Sequence, residues 1–295
     1  MSVKLFYENV SLLDFAYWDK QKGPVGYSVH IHIELSGQTD NDGIISDFST
    51  TKKMVKKIID DYVDHRMLVP KELVTIKDDE VFIEEKINLS DAFYYRAPKT
   101  AICALVESEI NLTTVKQYLE EIVAKNLPPS ISFVKIILEE ETKASDQYWF
   151  QYTHGLKNHY GNCQRLLHGH KNPVRIWVNK QRRPDLERYL VLDLFKETVH
   201  FAFRENLINL NEITSKGIFE GSLHDFKTVH LKYRGNQGTF ELKLPGRLVH
   251  LVNTETSVEN LSKYFFSIIS SKCEQNDQIM IQAFEGIGKG AIFHN

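Results

Sequence analysis

Three histidines are spaced to hold a metal ion. His154 ends the segment WFQYTH, and His168 and His170 stand two apart in LLHGHKNPVRIWV. Residues i and i+2 of a strand share a face. His168 and His170 therefore point the same way from the start of one strand. His154 comes from the strand before, through a hairpin-like connection. Three converging imidazoles make an open site, because catalytic zinc takes three protein ligands and leaves a fourth position for water or substrate. By ligand type alone copper, iron and nickel suit imidazole as well. An HGH triplet on its own reads equally well as a solvated turn; His154 and Cys163 around it favour the metal. His30 and His32 repeat the spacing, but they lie inside their strand, and the residues before them, DFAYWDKQKGPVG, hold no histidine. They are read as structural or surface residues, and His159 as part of the connecting loop.

The elements that must position these residues occur twice. In the first half an alternating segment, YSVHIHIEL from Tyr27, leads to ISDF from Ile45 and to KKMVKKIIDDYVDH at helical spacing. VTIK from Val74 follows, then LVESEINLTTVKQYLEEIV, and FVKIILEEE closes the half. The second half runs through PVRIWV from Pro173, LVLDLFKETVHFAF from Leu190, VHLK from Val229, LVNTETSVENLSKYFFSII from Leu248 and IMIQAFEG from Ile279. Two pairings carry the repeat, Val74-TIK with Val229-HLK and Tyr118-LEEI with Tyr264-FFSI. Period-2 and period-3.6 patterns make each half two strands, a helix, a β-hairpin, a second helix and a last strand. RGNQG (Arg234–Gly238) is a hairpin turn. Pro128-Pro129 and Asn276-Asp277 separate the last helix from the last strand. The join is expected near Thr142–Gln147, giving domains 1–145 and 146–295.

The chain has 295 residues, 42% apolar and 25% charged, ordinary for a globular protein. A net charge of −3 gives no basic excess for nucleic acid or an anionic membrane. Three scattered cysteines, Cys103, Cys163 and Cys273, fit a reducing compartment without a disulfide framework. The opening MSVKLFYENVSLLDF lacks signal-peptide character. No apolar run approaches the roughly 20 residues of a membrane helix. The expectation is a cytoplasmic protein.

The series His154…Cys163-QRLL-His168-Gly-His170 resembles the signature of the 6-pyruvoyltetrahydropterin synthase and 6-carboxytetrahydropterin synthase family. Gly43-IISDF resembles the family's G-(M/I)-V-x-DF segment, and Asp64-His65-Arg66-Met67-Leu68 its LDHxxLN segment. Ser257-VENLSKYF resembles its TSENLA helix, and Phe284-EGIGKGAIF its terminal strand with a glutamate. The resemblance spans nearly the whole chain as two copies. It implies an α+β architecture of two tandem tunnelling-fold (T-fold) domains, each an antiparallel sheet with two helices on one face. It implies zinc on His154, His168 and His170, proton transfer by Cys163 and the Asp64-His65 pair, and a pterin ring anchored by Glu285. The parts are divided: the zinc histidines, Cys163 and Glu285 fall in the second half, and Asp64-His65 in the first, with Leu210-Asn211 at about the matching place in the second. One composite site per chain follows, with a degenerate first half.

In chemical terms a nearby cation lowers a thiol's pKa and makes a thiolate base of Cys163. His65, oriented by Asp64, shuttles a proton, and the Glu285 carboxylate pairs with the pterin's amino group and ring N–H. The plain alternatives are a core cysteine, a polar helix end and a surface glutamate. The implied substrate is 7,8-dihydroneopterin triphosphate. The implied activity is a zinc-dependent lyase of the 6-carboxytetrahydropterin synthase type, on the route to queuosine and other 7-deazaguanine nucleosides. A pyruvoyltetrahydropterin synthase-type lyase and a non-catalytic zinc- and pterin-binding protein are the alternatives. The expected partners are a small-molecule pterin and further copies of the chain, with three chains closing the barrel.

Overall fold

A computed structural model describes residues 3–142, 144–196 and 198–295. Lys143, inside the expected join, and Glu197, inside the Leu190 segment, lie outside the described residues. The first half forms β1 (Lys4–Asp19), β2 (Gly23–Gly37), α1 (Phe48–Tyr62), β3 (Met67–Pro70), β4 (Thr75–Lys77), β5 (Glu80–Ile87), β6 (Asp91–Pro98), β7 (Ile102–Leu105), α2 (Leu112–Asn126) and β8 (Ile131–Glu139). The second forms β9 (Trp149–His154), β10 (His168–Val178), β11 (Gln181–Arg182), α3 (Pro184–Arg188), β12 (Thr198–Phe203), α4 (Leu210–Ser215) and β13 (Gly221–Ser222). It continues with β14 (Val229–Gly235), β15 (Gly238–Leu244), β16 (Val249–Val252), α5 (Val258–Ser270), β17 (Ile279–Phe284) and β18 (Gly290–His294).

The strand orders show the duplication. The first sheet runs β7-β3-β1-β2-β8, and the second runs β16-β12-β9-β10-β17, extended by β13 at one edge and β18 at the other. In both, the long central pair is antiparallel, and two short strands join it in parallel, β3 and β7 or β12 and β16. The sheets are therefore mixed at one side rather than antiparallel throughout. The hairpins β5–β6 and β14–β15 leave these sheets and meet in a third, ordered β14-β15-β6-β5-β4. There β15 pairs with β6 across the halves, Leu242 opposite Tyr95. The palindrome matches β14 with β5, so the Val229 segment corresponds to Glu80–Ile87. The Val74 segment is the extra outer strand, which corrects that pairing.

Capping places the helices. The Asp47 side chain accepts from the Thr50 amide to start α1, and Asn111 with Thr114 forms a reciprocal capping box for α2. Tyr118 and Tyr264 fall at the same distance from the caps Asn111 and Ser257. The counterpart of α1 is short: Pro184 opens α3 at the first turn, where its missing N–H is not needed. The chain then widens into π-type turns over Tyr189–Leu194 before β12. Leu210-Asn211 opens α4, far from the position of Asp64-His65. The residues just before β12, Phe195 and Lys196, hold that place, and Lys196 shares the left-handed φ of His65, 52° against 54°.

Three apolar cores result. Val55, Ile59, Leu119 and Val123 of α1 and α2 cover Leu13, Val29 and Ile31 of the first sheet. Leu190, Leu261 and Phe265 cover Ile176, Phe201 and Ile281 of the second. The third core is shared, with Ile83 and Tyr95 packed among Leu231, Leu242 and Leu251. The central strands also meet closely: a Cβ on Gly26 of β2 would lie 2.1 Å from the Tyr152 carbonyl. Among the described residues no helix is long and apolar enough to cross a membrane.

Candidate active site

The β9–β10 ladder sets His154 directly opposite His168, and the pleat brings His170 to the same face. All three are buried, at 0%, 0% and 1% exposure. Each Nδ1 faces an oxygen. His154 Nδ1 lies 2.8 Å from the Thr256 carbonyl, and His168 Nδ1 2.8 Å from the Arg165 carbonyl. His170 Nδ1 is 3.2 Å from Asp14 Oδ1. A carbonyl only accepts, so Nδ1 of His154 and His168 carries the proton and donates. Their Nε2 lone pairs then point inward. His168 Nε2 is buried without a partner among the described residues, and the Nε2 atoms of His154 and His170 are 3.3 Å apart. Tetrahedral bonds of about 2.0–2.1 Å imply an N···N edge of about 3.3 Å. The cluster thus fits a metal ion, and the backbone and carboxylate acceptors behind it match the way ligating imidazoles are held. Burial, then the neighbouring imidazoles, push His154 and His168 well below the usual histidine range, which keeps them neutral.

The first half reaches into this cluster. His65 sets its ring 5.3 Å from that of His168, tilted by 32°, and Cys163 lies with these two rings in a second group of potential ligands. Cys163 sits in a 3-10 turn, Asn162–Gln164, in the long connection between β9 and β10. His65 has φ 54°, a conformation that non-glycine residues hold only when their surroundings fix it. Here they do. The His65 amide donates to the Asp14 carbonyl at 2.7 Å. Arg165 Nη1 donates to the carbonyls of Asp64 and His65 at 3.3 and 3.4 Å. The Asp14 amide donates to Asp64 Oδ1 at 3.1 Å, and Asp64 Oδ2 bonds His65 Nδ1. Burial alone would lower the His65 imidazole; its bonds to Asp64 and Cys163 outweigh that and raise it to about 10.

Glu285 follows β17 and places Oε1 3.8 Å from His154 Nε2. Its amide donates to the Lys289 carbonyl at 3.1 Å, closing the turn. Gly286, at φ 82°, must lack a Cβ, which would stand 2.6 Å from the Asp14 carboxylate. All seven residues singled out in the sequence (His154, His168, His170, Cys163, Asp64, His65 and Glu285) meet around one centre within one chain. His30 and His32 do not join them, and His32 pairs instead with Glu139 at 2.8 Å. His159 is exposed in the connection.

Sequence reasoning missed Asp14, Ser28, Arg165, Thr256 and Lys289. Asp14 is 2% exposed. It faces His170, accepts from Ser28 Oγ at 2.6 Å and pairs with Lys289 at 3.0 Å. Burial alone would raise its carboxyl, but His170, Lys289 and Ser28 hold it below the usual carboxylate range. Its only sequence signal is a charge in the apolar strand segment LLDFAYW.

Comparison with known proteins follows the duplication. A family model described as 6-pyruvoyl tetrahydropterin synthase matches residues 12–149 and again 143–295. A provisionally named 6-carboxy-5,6,7,8-tetrahydropterin synthase of Pyrococcus horikoshii is 22% identical over 144 residues, covering 49% of this chain and 85% of that protein. Its namesake in Pyrococcus abyssi is 17% identical over 138 residues, covering 47% and 82%. Among solved structures, 6-pyruvoyltetrahydropterin synthases of Plasmodium vivax and Plasmodium falciparum each align at 18% identity and TM-score 0.39, over 48% of this chain and 94% of theirs.

Proposed function

Since the chain belongs to the 6-pyruvoyl tetrahydropterin synthase family, we propose that it is a zinc-dependent 6-carboxy-5,6,7,8-tetrahydropterin synthase acting on 7,8-dihydroneopterin triphosphate. The reading adds the names of the Pyrococcus relatives to the chemistry of the centre. The observation that carries it is the convergence of three buried imidazoles with inward Nε2 atoms, one of them without a partner among the described residues. His154, His168 and His170 would hold zinc, which supplies Lewis-acid polarisation of the substrate's side-chain oxygens.

The chain's own groups do the rest. Cys163 takes a proton from the three-carbon side chain, within reach of His65. His65, held by Asp64 on one side and facing Cys163 on the other, passes protons between thiol and substrate. Glu285 accepts two hydrogen bonds from the amino group and ring N–H of the pterin, which fixes the ring while the side chain lies against the histidines. The domains divide at about residue 145, and the second supplies the metal ligands, the thiol and the ring anchor. The same reading makes the chain a cytoplasmic enzyme of 7-deazaguanine synthesis and a homo-oligomer of three chains. The edge strands β8 and β18 support that assembly, since they leave Phe133, Ile137 and Ile292 exposed. Light scattering showing a monomer would remove the oligomer.

The test is an anaerobic reaction of zinc-loaded protein with 7,8-dihydroneopterin triphosphate, with products identified by mass spectrometry. 6-Carboxytetrahydropterin with acetaldehyde is the expected result; a pyruvoyl product would transfer the chain to the sister activity. Cys163→Ala is expected to lower kcat about 10²–10⁴-fold, the usual worth of a general base, with zinc content retained. Turnover unchanged by that substitution would reject the base.

A further inference from the structure

Both chain neighbours of Cys163 are held by one side chain far along the sequence. The turn of the β14–β15 hairpin is Asn236-Gln237, closed by the pair Gly235–Gly238. Gln237 grips the connection between β9 and β10 through three groups. Its amide donates to Gln164 Oε1 at 2.7 Å, its Nε2 donates to Asn162 Oδ1 at 2.9 Å, and its Oε1 accepts from Arg165 Nε at 3.0 Å. A guanidinium only donates, so Oε1 must face Arg165, and Nε2 is left for Asn162. The residues on either side of the thiol, and the one after them, thus hang from a single turn.

Gln164 completes the clamp from inside. It is fully buried. Its Nε2 donates to the carbonyls of Gly161 and His159 at 3.0 and 3.3 Å, which folds the connection back on itself. Its own carbonyl accepts from the Tyr233 hydroxyl of β14 at 2.6 Å. A Cβ on Gly235 would stand 2.6 Å from Gln164 Oε1 and push that amide off its bonds. The Cys163 carbonyl accepts from the Leu156 amide at 2.9 Å and closes the base of the loop. A buried polar network of this kind, once satisfied, fixes one arrangement of its members.

Arg165 carries the clamp to the reactive groups. Its Nε lies on Gln237, its Nη1 on the carbonyls of Asp64 and His65, and its own carbonyl on His168 Nδ1. The first half shows the plain form of the same contact. There the Asn88 amide of the β5–β6 turn donates to the Lys20 carbonyl of the β1–β2 turn at 2.8 Å, and no side-chain bond joins the two turns among the described residues. Side chains were added to the contact only where the connection carries a thiol. We propose that Gln237 is a positioning residue, which from the β14–β15 turn fixes the Cys163 thiol in register with His65 and the histidine cluster. The proposal rests on the reading of Cys163 as the base, and it adds to that centre a hairpin turn outside it.

The experiment compares Gln237→Ala, Gln237→Glu and Asn236→Ala in the zinc-loaded full chain. Asn236 is the exposed neighbour in the same turn, and its side chain bonds nothing among the described residues. Hydrogen–deuterium exchange read by mass spectrometry follows the connection without needing turnover. In Gln237→Ala, exchange over residues 155–167 is expected to rise at least about tenfold while β10 and β17 keep parent rates, because local opening follows the bonds that are lost. Asn236→Ala should match the parent throughout. Exchange over 155–167 within about twofold of the parent, or a rise spread evenly over the second sheet, would overturn the positioning role.

Turnover then separates the proposal from the activity. In Gln237→Ala, kcat is expected to fall about 10–10²-fold, the usual cost of displacing a reacting group by about 1 Å, with KM within about threefold and zinc content retained. Gln237→Glu keeps an acceptor for Arg165 and should recover to within about fivefold of the parent. An unchanged kcat in an active enzyme, or an effect on KM alone, would remove the positioning role and leave the proposed activity standing. A parent without pterin turnover, in which exchange over 155–167 still depends on Gln237, would reject the activity and uphold Gln237 as the residue that fixes the thiol.

Discussion

The two halves close their central ladders in the same way and put different chemistry at the closing rungs. β1 and β2 end on the pair Asp19–Gly23, and β9 and β10 on the pair His154–His168. Two rungs on, Tyr17 faces Val25 and Tyr152 faces His170. The tyrosines match, as do Phe15 and Phe150 two residues earlier, so the frames coincide. Asp19, Gly23 and Val25 thus stand in the first half where the second has three imidazoles. The connections differ too. Lys20–Lys22 suffices between β1 and β2, while residues 155–167 join β9 to β10 and carry Cys163 and Arg165. In return, the turn before β3 holds Asp64-His65, and the turn before β12 offers Phe195-Lys196. The comparison teaches that a backbone register can persist in both copies while each keeps only part of the reactive groups.

The comparison can be broken most severely at a proposed ligand. His168→Ala is expected to take zinc from one ion per chain to none by atomic absorption, and turnover with it. Zinc retained at parent level would mean that His65 and Cys163 hold the ion instead. The next effect is expected at Asp14. Asp14→Asn keeps the shape but weakens the acceptor behind His170, and zinc affinity by chelator competition should fall about 10–100-fold, as for other groups that orient ligands. A change below twofold would make Asp14 a structural residue only.

What was legible in the sequence divides along the same line. The clustering of the three histidines could be read because a strand's period of two makes HGH a single-faced pair, and because His154 needs only the neighbouring strand. Asp64-His65 has no local signature of reaching across the halves, and only the resemblance points to it. Asp14 stayed hidden because its partners, His170 and Lys289, lie far along the chain and meet it only once β1 packs on β10. Likewise the β6–β15 pairing joins two hairpins whose sequences give turns and alternation but not a neighbour. The first helix of the second half has no long amphipathic period to signal it, because Pro184 and the π-type turns interrupt it.

A smaller effect is expected where the halves touch. Gly26→Ala pushes a Cβ against the Tyr152 carbonyl. It should lower unfolding stability by about 1–3 kcal/mol, the usual range for overpacking, in urea titration. An unchanged midpoint would mean that the central strands move apart freely. The smallest effect separates the decoy from the site. His30 and His32 stand seven residues along from Gly23 and Val25, the positions that match His168 and His170. H30A/H32A should leave zinc stoichiometry unaltered; loss of the ion would put the metal in the first half.

The hydrogen bonds from Arg165 to the carbonyls of Asp64 and His65 have a consequence for how such a protein responds to dilution. A centre divided between separate subunits is complete only above the concentration at which they associate. Here the two contributors are tethered by the peptide chain, and their effective concentration is set by covalent connection rather than by abundance. One inactive chain lacking His168 and another lacking His65 would therefore not restore each other on mixing, because each carries its defect into its own centre.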